Sequence, residues 1–157
     1  VKIYILRHGQ SPSASEAGVA TDAQRPLSPR GREDARHAAD YMEKNGAKPG
    51  IILVSPLVRA QQTAEMAAPA FSGKPPVKTY EPLDNRMSGV DLYRRLIEDE
   101  HGAEEILVIG HQPQVGELAH YLTGAFFQFM PAGQVAVDSE GPGRSTLLWN
   151  VNPDEIQ

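Results

Sequence analysis

The 157-residue chain has no cysteine, one tryptophan and 6% aromatic residues, and its 15 Lys and Arg are outnumbered by 20 Asp and Glu. Without cysteine there are no disulfides, no thiolate nucleophile and no thiolate metal ligand. A net charge of -5 gives no general attraction to nucleic acid or to an anionic membrane, so neither is expected as a partner, and local arginines matter more than the total. No apolar run approaches the roughly 18 residues of a membrane span. Residues 1–6 lead straight into Arg7 without the basic region, apolar stretch and cleavage site of a secretory signal, so a cytoplasmic product is expected. There is no GxxxxGK[ST] loop, and His37, His101 and His120 are not spaced as zinc ligands, so no metal is expected. What is present, 40% hydrophobic and 22% charged residues, suits one globular domain over residues 1–157.

Three runs rich in Ile, Leu and Val, at 2–6, 51–54 and 105–110, lack clean polar alternation and are expected to be buried strands of a parallel sheet. Between them Ala35, Ala39 and Met42 recur at helical spacing, with Ser28-Pro29 as cap and first residue and Asn45-Gly46 as stop. A second helix is expected from Ser55-Pro56 through Ala67. A third follows Ser88-Gly89, with Val90, Tyr93 and Leu96 or Ile97 on its apolar face, and a fourth starts near Pro113 and ends before Gly124. Val77–Tyr80 is a possible short strand, and 134–138 and 144–150 are candidates for an antiparallel pair. This rhythm predicts an α/β domain with helices covering a mixed, mostly parallel sheet. The loops at 10–25 and 70–89 are candidate site walls rather than domain boundaries.

Chemistry-bearing residues follow the strands. Arg7-His8-Gly9 comes after the first, Arg59 lies near the start of the helix after the second, and His111 follows Gly110 at the end of the 105–109 strand. An α/β fold gathers the carboxyl ends of its strands at one edge, so these positions are expected to share a pocket. Two imidazoles and two guanidiniums suit a tetrahedral oxyanion better than a neutral sugar. His8, if neutral, is placed to attack phosphorus while Arg7 and Arg59 stabilise charge and His111 donates a hydrogen bond. Arg25, just ahead of Pro26, is a candidate third clamp. Each residue alone has an ordinary alternative: Arg-His-Gly as a surface turn, Arg25 and Arg59 as solvated charges, His111 as a loop cap. Their shared placement after compatible strands shifts the balance.

Taken together, Arg7-His8-Gly9, Arg25-Pro26-Leu27-Ser28 with Gly31, Ser55-Pro56 followed by Arg59-Ala60-Gln61-Gln62-Thr63, and Val108-Ile109-Gly110-His111-Gln112-Pro113 resemble the histidine phosphatase superfamily, and within it the compact SixA-type phosphohistidine phosphatases. The resemblance spans almost the whole chain. It implies a three-layer α/β/α, phosphoglycerate mutase-like sandwich working through a transient phosphohistidine without metal or organic cofactor. It implies His8 as nucleophile, Arg7 and Arg59 as phosphate ligands, His111 as the second active-site histidine and Arg25 as the additional ligand of the SixA-type branch.

Phosphomonoesterase and mutase branches of the superfamily also carry an acidic proton donor in the central region. Here Glu81 and Asp84 stand nearby, but EPLDNRMSG does not match that acidic motif. An alkoxide leaving group benefits from a proton donor, whereas imidazole needs less help. The expected function is therefore hydrolysis of phosphohistidine on a signalling or phosphotransfer protein. The alternatives are hydrolysis of a small phosphorylated metabolite, with Glu81 or Asp84 as acid, and a non-catalytic phosphate-binding module. Retention of both His8 and His111 disfavours the module, since arginines and backbone amides suffice to bind an anion.

Overall fold

The computed structural model describes residues 1–156. Six strands form one sheet: β1 (Lys2–Arg7), β2 (Ile51–Val54), β3 (Val77–Thr79), β4 (Glu105–Gly110), β5 (Gln134–Ser139) and β6 (Ser145–Val151). Their order is β3-β2-β4-β1-β5-β6. The first four are mutually parallel, while β5 runs antiparallel to β1 and β6 to β5. The mixed, mostly parallel sheet expected from the sequence is the one observed.

Side chains along the buried strands part by twos, as the pleat requires. Ile3, Ile5, Leu53, Val108, Val135 and Val137 face α4 (Gly89–Glu98) and α5 (Gln114–Thr123) and pack with Leu92, Leu96, Val115, Leu118 and Leu122. Tyr4, Leu6, Ile52, Val54, Leu107, Ile109 and Ala136 face α2 (Pro29–Lys44) and α3 (Val58–Ala67) and pack with Ala38, Ala39, Met42, Ala60, Ala64 and Ala67. Two apolar layers thus sandwich the sheet. Strands buried on both faces need no polar alternation, which is why their sequences read as continuous apolar runs. On the β6 edge Trp149 packs against Tyr4 and Tyr41 and donates from Nε1 to Gln134 at 2.8 Å. Among the described residues no helix is long and apolar enough to cross a membrane, and no group of three or more His, Asp or Glu could hold a metal ion.

Two helices differ from expectation. The helix read from Ser55-Pro56 begins three residues later, at Val58, and Leu57 occupies its cap position without a side-chain hydrogen bond. Ser55 is held elsewhere: its N–H extends the β2–β4 pairing to Ile109, and its hydroxyl accepts the Leu57 N–H. In α4 the buried stripe is Gly89, Leu92 and Leu96, with Val90 and Tyr93 half-buried and Ile97 57% exposed. Of the expected face Leu96 is buried and Tyr93 packs against the core, while Leu92 rather than Ile97 completes it. The absent Cβ of Gly89 would lie 2.3 Å from the Leu118 nitrogen, so α4 rests its glycine on the backbone of α5.

Candidate active site

Register brings the two histidines together. Arg7 on β1 pairs with Gly110 on β4, so the next residues of both strands, His8 and His111, leave the sheet side by side. Their ring centroids are 5.1 Å apart and inclined at 52°. The His8 backbone continues the pairing beyond the strand, its N–H donating to Gly110 at 3.0 Å and its carbonyl accepting from Ala132 at 2.9 Å.

The motif around Arg59 works as a set of anchors. Arg59 reaches Asp22, Gln61 donates to the Ser55 carbonyl and Thr79, Gln62 accepts from the Leu27 N–H, and Thr63 accepts from Gly9 while donating back to the Arg59 carbonyl. One turn and a half of helix thereby fixes four separate segments around His8. Glycines allow the closest of these approaches. A Cβ on Gly9 would sit 2.5 Å from the Gly31 carbonyl oxygen, and one on Gly31 would sit 2.2 Å from the Gln10 carbonyl oxygen, so the start of α2 rests directly on the chain that follows His8.

A backbone hydrogen bond assigns the His8 proton. His8 Nδ1 lies 2.6 Å from the Gly9 carbonyl oxygen. A carbonyl only accepts, so Nδ1 carries the proton and Nε2 keeps a free lone pair. His111 Nε2 is 2.7 Å from the Ser55 hydroxyl. That hydroxyl also accepts from Leu57, and with a second lone pair and its own proton it can pair with either tautomer of His111. The His111 Nδ1 is buried and has no hydrogen-bond partner among the described residues, as is also true of Arg7 Nε.

The electrostatics favour a bound anion. Burial lowers the Arg7 pKa, and the Arg59 charge adds to the effect. Burial likewise pushes His8 from its ordinary 6.5 down to about 3; the Gly9 carbonyl opposes the shift, while His111, Arg59 and Arg7 reinforce it. His111 falls to about 4 through burial and then the charges of Arg59 and Arg7, opposed by Asp22 and Asp84. Both rings are therefore neutral from about pH 5 upward, the state a nitrogen nucleophile requires.

A stability effect follows from these shifts. Above about pH 6.5 the rings are neutral in both folded and unfolded chains. As pH falls below that value the unfolded chain takes up protons first, so stability is lost progressively until the folded pKa values are reached. The unfolding midpoint is expected to decline between about pH 6.5 and about pH 4, and to decline less in His8→Asn. An equal decline in the variant would contradict the buried, neutral His8.

The Arg7 guanidinium donates from Nη1 to the Phe129 carbonyl at 2.8 Å. Arg25 is drawn into the wall: its donors go to the carbonyls of Pro12 and Ser11 and to the Asp22 carboxylate, and it meets Arg59 through Asp22. Glu81 is exposed on a 3-10 turn. Asp84 accepts from the Arg86 N–H and pairs with its side chain, and of these two carboxylates it is Asp84 whose charge reaches His111. Asn85 ties this loop to the site, donating to the Gln112 carbonyl and accepting from the Gln114 N–H. Phe129 is buried, whereas Phe126 is exposed and stacks on His120.

Three further residues contribute to the site. Ser55, read as a helix start, is the partner of His111. Asn85 carried no signal beyond its place in a turn-rich stretch. Asp22 bridges Arg25 and Arg59, 3.0 and 3.1 Å from them; its one clue was the i,i+3 spacing to Arg25.

The profile of the histidine phosphatase superfamily (branch 1) matches residues 3–91. The chain belongs to the histidine phosphatase superfamily. The match includes Arg7, His8, Arg25 and Arg59 and stops short of His111, which joins them through the β1–β4 register. An uncharacterised protein of Picosynechococcus is 32% identical over 145 residues, covering 88% of this chain and 86% of that protein. The phosphohistidine phosphatase SixA of Escherichia coli is 29% identical over 163 residues, covering 100% of this chain and 97% of its own length. A solved structure of the protein histidine phosphatase SixA complexed with tungstate superposes with a TM-score of 0.83 at 26% identity, covering 99% of each chain. The superfamily assignment and the SixA-like α/β/α architecture expected from the sequence are both met.

Proposed function

We propose that the protein hydrolyses phosphohistidine borne by another protein, through a covalent phosphohistidine on His8. The observation that carries this reading is the His8–His111 pair, in which a buried, neutral imidazole has its Nε2 lone pair free beside a second imidazole. Arg7 and Arg59 supply positive charge for the non-bridging oxygens of a phosphoryl group, and His111 Nδ1 is a buried nitrogen with no partner among the described residues. Groups fixed in advance in this way stabilise the transition state without reorganising.

In the first step Nε2 forms a bond to phosphorus as the substrate P–N bond breaks, and the electron pair of that bond stays on the departing imidazole. Water then attacks phospho-His8, inorganic phosphate leaves, and the His8 lone pair is restored. Two features support phosphohistidine over a phosphoester. The two carboxylates whose charge reaches His111 are both held by arginine: Asp84 is paired with Arg86, and Arg25 and Arg59 hold Asp22 below the ordinary carboxyl range. The full-length likeness to proteins named phosphohistidine phosphatase SixA points the same way.

Purified protein without added metal, given a phosphohistidine-bearing protein and a panel of phosphomonoesters at matched concentrations, is expected to release phosphate fastest from the phosphohistidine. Preference for any phosphomonoester would make the protein a small-metabolite phosphatase instead.

A further inference from the structure

One carboxylate sits among the phosphate-binding arginines. Asp22 Oδ1 pairs with Arg25 at 3.0 Å and Oδ2 with Arg59 at 3.1 Å, and the Asp22 carbonyl accepts a second Arg59 N–H at 2.9 Å. Two of the five guanidinium N–H groups of Arg59 are thereby engaged, and three remain for a phosphoryl group. The site also has a clear depth order. His111 and His8 are 2% and 8% exposed and the Arg59 side chain 9%, while the Asp22 side chain is 65% exposed. The nucleophile lies at the floor and Asp22 at the mouth.

In-line displacement puts the leaving group on the side of phosphorus opposite the nucleophile. With His8 at the floor, the leaving group departs at the depth of Asp22. We propose that Asp22 is a specificity-determining residue whose carboxylate accepts the ring N–H of the departing imidazole, favouring phosphohistidine over phosphoesters. This step rests on the phosphohistidine substrate proposed above.

The chemistry balances without a further reactant. An N-phosphorylated imidazole that keeps a proton on its other nitrogen is a good leaving group, because breaking the P–N bond returns the electron pair to nitrogen and yields neutral imidazole. A carboxylate facing that N–H raises the fraction of substrate rings that hold the proton. An alkoxide must instead gain a proton, and a carboxylate kept ionised by Arg25 and Arg59 has none to give. The same residue that assists imidazole therefore opposes alkoxide.

Asp22→Asn tests the charge while keeping an acceptor oxygen for Arg59. We expect the ratio of kcat/KM on a phosphohistidine protein to kcat/KM on p-nitrophenyl phosphate to fall at least about tenfold, the scale of one charge-assisted hydrogen bond. Asp22→Glu should recover part of the loss. In the Asn variant the alkaline limb of the phosphohistidine profile should move to lower pH. Arg25 on the same segment, Arg59 on α3 and His111 beyond β4 also face Asp22, and the p-nitrophenyl phosphate profile separates their titration from that of the substrate ring. Equal losses on both substrates with an unmoved alkaline limb would reduce Asp22 to a tether for the 10–25 wall and overturn the proposal. If the aryl ester is turned over too slowly to measure, the alkaline limb alone decides. Wild-type protein inert towards phosphohistidine would instead overturn the substrate assignment itself, and this step with it.

Discussion

His8→Ala is expected to lower the rate of phosphoryl transfer by at least about 10^3-fold, the scale seen when a covalent nucleophile is removed and the binding groups remain. The fold should survive. The His8 backbone is held by Gly110 and Ala132, and the ring makes its Nδ1 hydrogen bond to the adjacent Gly9, so truncation releases no distant element. Removing a buried imidazole also removes a site that must be neutral in the folded state, so the variant should keep its cooperative unfolding transition. Normal turnover by a folded His8→Ala protein would contradict the nucleophile assignment. Complete unfolding would call for His8→Asn, which preserves volume but lacks the attacking nitrogen.

Arg59→Ala is expected to reduce kcat/KM by about 10^2- to 10^3-fold, the scale of losing one preorganised group that stabilises transition-state charge. Two effects combine in this residue. Its guanidinium is the buried cation beside both histidines, lowering the pKa of each, and it is the tether through which Asp22 holds the wall at 10–25. No residue from 13 to 24 is buried, so that wall is held by hydrogen bonds rather than by core packing, those of Arg59 together with those of Arg25 to Ser11, Pro12 and Asp22. Arg59→Lys should recover only part of the activity, because an ammonium keeps the charge but cannot hold Asp22 and a phosphoryl group through a planar fork. Unchanged kcat/KM in Arg59→Ala would remove Arg59 from the machinery.

Much of this site is legible in sequence because the sheet does the gathering. Once residues 2–6, 51–54 and 105–110 are recognised as parallel strands, the residues following them must lie at one edge, and His8 and His111 become neighbours although 103 positions apart. The two-faced burial of β1, β2 and β4 made those strands unmistakable. Where the fold depended on backbone contact rather than side-chain period, sequence was a poorer guide. In α4 Leu96 and Tyr93 pack as expected, but the stripe runs on through Leu92 to Gly89, whose contact with the α5 backbone carries no hydrophobic signal. Ser55 carried the signature of a helix cap and serves an imidazole instead, because both roles use the same hydroxyl. Asp22 lies in the polar stretch Thr21–Gln24, where nothing periodic marks it, and its defining partner is 37 residues away.

The balance between Arg25 and Asp22 illustrates the same limit. Arg25-Pro26-Leu27-Ser28 is recognisable as a motif, and Leu27 and Ser28 carry out its visible work, one held by Gln62 and the other capping α2 and pairing with Gln10. The Arg25 guanidinium completes the wall through Ser11, Pro12 and Asp22, which places its charge behind a carboxylate rather than alone before a phosphate.

The central claim is a phosphoryl group carried on His8 Nε2 between two displacements. Rapid mixing with a phosphohistidine substrate, an alkaline quench within the first turnover and peptide mapping would locate that group. An acid-labile, alkali-stable phosphate is expected on the peptide bearing Arg7-His8-Gly9, absent from His8→Ala. Full turnover with no phosphate on that peptide, or with phosphate on another residue, would contradict it.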